Sequence, residues 1–142
     1  MTMRFTNTIT IERSRGDVFE FLARFENVPR WNYAISETRK VSRGPTGVGS
    51  RYVQTRTVPA LSQETFEVTE FEPGSKLSVQ GTLGRFPARL TYVLEPIANG
   101  TRLTNAVDLE PSGLLGLIAP LATAKVKSAV AENLSTLKKI LE

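Results

Sequence analysis

The chain has 142 residues, 40% hydrophobic and 23% charged, the size and balance of one ordinary globular domain with room for a substantial core. Its 18 basic and 14 acidic residues give a formal charge of +4 without any block of like charges or recognition motif, so no nucleic-acid partner is expected. It contains no Cys and no His, which excludes a thiol nucleophile, a Ser-His-Asp triad and zinc sites built on those ligands; no Asp-rich loop has calcium spacing, and no metal or other cofactor is expected.

The first element is a strand over Phe5–Glu12, with Phe5, Ile9 and Ile11 alternating with polar residues. Ser14 then stands as a helix N-cap, Asp17 follows three residues on, and Val18, Phe19, Leu22 and Phe25 recur at helical spacing. A second short helix is expected over Glu26–Trp31, with Pro29 in its first turn. Strands dominate after that: Ala34–Val41, then the glycine-rich turn GPTGVGS, then Ser50–Val58 ending near Pro59. Gln63–Glu72 is closed by the Pro-Gly turn EPGS, and Leu77–Leu83 contains Gly81, which marks a bend or a close approach. Arg85–Glu95 and Thr101–Glu110 follow, joined by PIANGT, where Asn99-Gly100 signals a hairpin.

The last element is a long helix over Ser112–Leu141, its apolar stripe running through Leu114, Ile118, Leu121, Ala122, Val126, Val130, Leu134, Leu137 and Leu141. Lys138 and Lys139 in its last turn suit the helix dipole. The N-terminus has no apolar signal region, and the most apolar run, Gly113–Ala124, is shorter than the roughly 20 residues a spanning helix needs. The expectation is a soluble cytoplasmic protein with one domain over residues 1–142, monomer or homodimer.

Successive hairpins imply an antiparallel sheet in an α+β fold, and the terminal helix is the only large cover for one of its faces. One helix cannot fill the concavity of a twisted seven-stranded sheet, so a cavity is expected between them. Alternation groups Tyr52, Gln54, Arg56 and Val58 on one face of their strand, and Arg51, Val53, Thr55 and Thr57 on the other. Periodicity alone does not choose between the faces. If the first set points inward, Gln54 and Arg56 are polar groups in an apolar cavity, and Arg56 requires a carboxylate, with Glu64 and Glu67 as the candidates. Tyr92 and Asn105 are polar residues on otherwise apolar faces, those of Phe86, Ala88, Leu90 and Leu94 and of Leu103, Val107 and Leu109. Each needs a ligand, a water or the other as partner. Phe66, Val79 and Phe86 complete the candidate sheet wall. Leu114, Ile118, Leu121 and Ala122 form the candidate helix wall. Gly113, Gly116 and Pro120 within that apolar segment fit either a mobile lid or a core helix with a tolerated kink. The same segment, flanked by Lys125 and Lys127, also suits peripheral membrane contact.

The stretches ITIERSRGDVFEFLARFENVPRWN, GPTGVGSRYVQT, FEVTEFEPGSKLSV and TYVLEPIANGTRLTN, in this order and followed by an amphipathic helix, resemble the polyketide cyclase/dehydrase branch of the START-like, or SRPBCC, superfamily. The resemblance covers essentially the whole chain. It implies the helix-grip fold of the birch-pollen-allergen type: a curved seven-stranded antiparallel sheet around a long C-terminal helix, two short helices between strands 1 and 2, and a hydrophobic tunnel inside. It also places Trp31 and Tyr33 near the tunnel mouth. Members bind lipids, polyketides or other hydrophobic molecules, and some are cyclases or dehydratases. Two activities therefore stand: binding of a hydrophobic small molecule (lipid, polyketide or aromatic) or a polyketide cyclase/dehydratase reaction in the same cavity. Without His, acid–base chemistry would fall to Tyr, Arg or a carboxylate.

Overall fold

The computed structural model describes residues 3–83 and 86–110 in full, the backbone of 119–123, and residues 124–142 in full. Seven strands form one antiparallel sheet in the order β1-β7-β6-β5-β4-β3-β2. They are β1 (Met3–Ile11), β2 (Ile35–Lys40), β3 (Arg51–Arg56), β4 (Ser62–Glu72), β5 (Lys76–Leu83), β6 (Phe86–Ile97) and β7 (Gly100–Leu109). Between β1 and β2 lie α1 (Arg15–Ala23), a 3-10 turn (Phe25–Asn27) and the one-turn helix α2 (Val28–Trp31). The C-terminal helix α3 is described over Ala119–Leu141. This is the helix-grip fold that the sequence pattern implied.

Local chemistry accounts for the boundaries. The Ser14 hydroxyl accepts the Asp17 N–H at 3.2 Å, capping α1, whose residues Val18, Phe19, Leu22 and Ala23 are buried. Pro29 sits in the first turn of α2, where a missing N–H costs nothing. Register shifts between Ile35 and Glu37 in β2 and between Val68 and Glu70 in β4 are irregularities of the kind that bends a sheet. The β6–β7 turn falls one residue earlier than the Asn99-Gly100 signal suggests. Ile97 pairs with Gly100, so the loop is Ala98–Asn99, and Gly100 opens β7 at φ +155°. A side chain at Gly100 would run into the Ile11 carbonyl, which explains why glycine stands inside the strand rather than in the turn.

The concave face carries the core. Pairing aligns Phe5, Val107, Leu90, Val79 and Val68 in one row, and Asn7, Asn105, Tyr92 and Leu77 in the next. The C-terminal half of α3 closes against this face, with Leu134, Leu137 and Leu141 buried. Polar contacts fix its position. Asn7 Nδ2 donates to the Lys127 carbonyl at 3.2 Å, Lys138 Nζ to the Thr10 carbonyl at 2.6 Å, and the Tyr33 N–H to Asn133 Oδ1 at 3.3 Å. Among the described residues no helix is long and apolar enough to cross a membrane.

Candidate functional site

Leu22, Phe25, Val28 and Trp31 recur every third residue through α1, the 3-10 turn and α2, so the short helices present one continuous apolar edge to the sheet. That edge stands over the concave side of β3–β6 and leaves a pocket with a volume of about 80 Å³. Its helical wall is Leu22, Phe25, Val28, Trp31 and Asn32. Its sheet wall is Gln54, Arg56, Phe66, Val79, Gly81, Thr82, Leu83, Ala88, Leu90 and Tyr92. Phe25, Tyr52 and Phe66 pack as an aromatic trio, with Tyr52 and Phe66 stacked at 5.1 Å between centroids and Phe25 4.8 Å from Tyr52. Gly81 pairs with Phe66, and a side chain there would collide with the Thr65 carbonyl and the Phe66 backbone. The glycine in β5 is thus a site of close approach.

The polar end of the pocket is built by β2, β3 and β4. Arg56 Nε lies 2.5 Å from Glu64 Oε2 and Arg56 Nη2 3.2 Å from Oε1, a two-pronged pair. The Arg56 side chain is 13% exposed and that of Glu64 0%. Gln54 Nε2 donates to Glu64 Oε1 at 2.8 Å, while Gln54 Oε1 accepts the Thr38 hydroxyl at 3.4 Å. The charge of Glu64 is thereby shared by a cation and an amide in a place where an isolated carboxylate would be costly.

Tyr92, Trp31, Asn32 and Thr82 are the other residues of the lining with polar groups. Burial pushes the Tyr92 hydroxyl far above the ordinary tyrosine range, so it keeps its proton. Trp31 is 7% exposed, and its indole Nε1 is sealed from water with no hydrogen-bond partner among the described residues.

The sequence family described as "Polyketide cyclase / dehydrase and lipid transport" matches residues 2–142. The chain belongs to this family. No curated protein matches it. Among solved structures it is similar to the di-domain aromatase/cyclase StfQ of the steffimycin biosynthetic pathway, at 13% identity and a TM-score of 0.82. That match covers 99% of this chain and 51% of StfQ, so the chain spans about half the length of that protein. The ZhuI aromatase/cyclase from Streptomyces sp. R1128 is similar at 12% identity and a TM-score of 0.81, covering 99% of this chain and 94% of the other. Ara h 8.0201 matches at 12% identity and a TM-score of 0.75, covering 99% and 98% of the two chains. At these identities the likeness is one of fold.

For this member of the polyketide cyclase/dehydrase family, the ambiguity in β3 resolves in one direction. Tyr52, Gln54 and Arg56 point to the concave side, because Tyr52 completes the aromatic trio and is fully buried. Glu64, not Glu67, is the partner of Arg56. Of the residues singled out in the sequence, Trp31, Gln54, Arg56, Phe66, Val79 and Tyr92 line the pocket. Tyr52 does not. It lies in the core behind the lining, where its hydroxyl bonds Thr46 at 2.8 Å; burial raises its pKa and outweighs that bond, which lowers it. Tyr33 lies outside the lining and is 57% exposed, since only its backbone is tied down, to Asn133. Phe86 is half-buried at the start of β6, outside the lining. Asn105 pairs with Tyr92 in the sheet and is buried, but no hydrogen bond joins their side chains. Its Nδ2 reaches the Thr91 carbonyl at 3.5 Å, and its Oδ1 has no partner among the described residues. Leu114 and Ile118 lie outside the described residues, as do the side chains of Leu121 and Ala122. Lys125 and Lys127 are exposed on α3.

The lining also includes residues that strand alternation did not single out: Leu22, Phe25, Val28 and Asn32 from the helices. The three-residue spacing from Leu22 to Trp31 is the signal that could have found most of them. A wider groove, about 840 Å³ and lined by Phe19, Ala23, Glu26, Lys40, Thr46 and Phe71 among others, opens at the other end of the strands. None of the candidate site residues named from the sequence lines it.

Proposed function

We propose that this chain binds a hydrophobic or amphipathic small molecule, of lipid, polyketide or aromatic type, in the pocket between the short helices and the concave face of β3–β6. The observation that carries this reading is the division of the lining. Leu22, Phe25, Val28, Phe66, Val79 and Leu90 offer apolar surface, and Arg56, Tyr92 and Trp31 are gathered in the same space. Apolar walls supply affinity and a few fixed polar groups supply orientation.

A second reading, a polyketide cyclase/dehydratase-type reaction in the same pocket, is favoured by the Arg56–Glu64 pair. A guanidinium held rigidly at a pocket wall can stabilise an enolate oxygen, and Tyr92 keeps a proton to donate. Shaping the substrate would contribute the rest. StfQ and ZhuI, both described as aromatase/cyclases, share the fold.

Native mass spectrometry of the freshly purified protein, followed by denaturing extraction, tests the binding reading. A retained lipophilic mass that is lost in an Ala88→Phe variant, which fills the pocket, is the expected result. A retained mass unaffected by Ala88→Phe, or failure of every aromatic and acyl probe to bind, would overturn it. Turnover of a polyketide substrate that is abolished by Tyr92→Phe with binding retained would establish the second reading.

A further inference from the structure

The groove at the other end of the strands, about 840 Å³, has the volume of a small-molecule site, for which about 300–1,000 Å³ is usual. Its floor is apolar. Phe19 of α1 meets Phe71 of β4 edge to face at 5.2 Å between ring centroids, and Pro45 and Pro73 stand at the sides. The aromatic trio separates this groove from the inner pocket. Phe25 and Phe66 line the inner pocket, Tyr52 packs behind them, and the Tyr52 hydroxyl bonds Thr46 in the groove wall at 2.8 Å. The glycine-rich loop that carries Thr46 is pinned in turn: the Gly47 N–H donates to Ser50 Oγ at 3.0 Å and the Gly49 N–H to the Val68 carbonyl at 2.8 Å.

Four charged residues line the groove: Glu20, Arg24, Glu26 and Lys40. None of them forms an ion pair among the described residues. They are not equivalent. Glu20 and Arg24, of opposite sign and one turn apart, also line the adjoining polar cleft with Arg13, Asp17 and Arg30, so their charges offset each other. The Lys40 ammonium donates to the Gly44 carbonyl. That leaves Glu26, which follows the C-terminal end of α1, where the helix carbonyls add negative partial charge. Its charge reaches the Thr46 corner: burial raises the pKa of Tyr52 first, the Thr46 bond lowers it, and Glu26 raises it further, with no cation contributing.

We propose that this groove is a second binding site, for an amphipathic amine whose apolar body lies on Phe19 and Phe71 and whose ammonium pairs with Glu26. The site does not depend on what the inner pocket holds. The apolar floor supplies affinity to any body of matching size, and the carboxylate selects among head groups. An amine gains an ion pair there, an alcohol does not, and an acid is repelled.

Phenethylamine, phenethyl alcohol and hydrocinnamate carry an ammonium, a hydroxyl and a carboxylate on the same phenethyl body and provide the test. Each is titrated at neutral pH into the isotopically labelled full chain. The amide resonances of Gly16, Thr46 and Gly74 report the groove, and the indole N–H of Trp31, the single tryptophan, reports the inner pocket. Phenethylamine is expected to bind the groove about fivefold more tightly than phenethyl alcohol, the most that an exposed ion pair provides, and hydrocinnamate more weakly than either. The groove amides should move at amine concentrations that leave the Trp31 resonance in place. Glu26 is exposed, so Glu26→Gln does not disturb the core; in that variant the advantage of the amine should vanish while the alcohol binds as before. Tightest binding by hydrocinnamate would assign the head-group preference to Lys40 and Arg24 and overturn the amine. Equal affinities in the wild type, an amine preference that survives Glu26→Gln, or groove amides that none of the three compounds moves would overturn it as well.

Discussion

Arg56 and Glu64, set diagonally on the adjacent strands β3 and β4, meet through two hydrogen bonds of 2.5 and 3.2 Å with the carboxylate wholly buried. Neither charge is accommodated alone, because each has been taken out of water on the strength of the other. Glu64→Ala should therefore cost about 3–5 kcal/mol in chemical denaturation, the usual penalty for stranding a buried charge. The double variant Arg56→Met, Glu64→Leu should recover most of that loss. A double variant no more stable than Glu64→Ala would show that the site demands the ion pair itself.

Tyr92 should behave differently. Its ring packs in the core and its hydroxyl makes no hydrogen bond among the described residues, so Tyr92→Phe should leave stability within about 0.5 kcal/mol of wild type. Burial keeps the phenol protonated far into the alkaline range. The ultraviolet phenolate titration of the folded protein should thus be the same with and without Tyr92 up to about pH 11, a value well above the ordinary tyrosine pKa. A missing phenolate step in the variant below that pH would mean that the hydroxyl reaches water.

Gly81 tests the close approach of β5 to β4. Gly81→Ala forces a methyl group onto the Thr65 carbonyl and the Phe66 backbone, neither of which is a flexible side-chain tip. The strands must separate locally, and overpacking of this kind costs about 1–3 kcal/mol. Thermal unfolding of the variant measures it, and an unchanged Tm would show that the strand edge yields freely.

On the convex face Glu70 is held down to about 2 by the Lys76 ammonium first, then by the Ser78 hydroxyl and by Arg89. A carboxylate whose folded pKa is depressed stabilises the fold above its unfolded value near 4.5. That contribution is lost as pH falls from there towards about 2. The group is open to solvent, so salt should screen the effect. In Glu70→Gln the decline in stability between pH 4.5 and 2 should be shallower than in wild type, and 1 M salt should bring the two curves together. Parallel curves at low salt would show that these contacts do not persist in solution.

Much of this architecture was legible in the sequence. Alternation, turn residues and the Ser14 cap placed seven strands and the short helices within a few residues of where they stand, because each signal acts over one to four neighbouring residues. The carboxylate demand of Arg56 was equally local in origin, and its two candidates, Glu64 and Glu67, lie on the next strand. What alternation left open was direction. The two faces of β3 are equivalent in period, and only the packing of Tyr52 against Phe25 and Phe66, residues 27 positions upstream and 14 downstream, turns Arg56 inward. The same holds for Tyr33 and Asn105. Their residue types suit a pocket, yet a backbone tie to Asn133 leaves the first at the surface, and the register with Tyr92 puts the second in the core outside the lining. Sequence by itself determined the elements, their order and the need for a cover over the concave sheet. Tertiary structure decided which side chains share one space, because that depends on contacts between residues far apart in the chain, which no local period encodes.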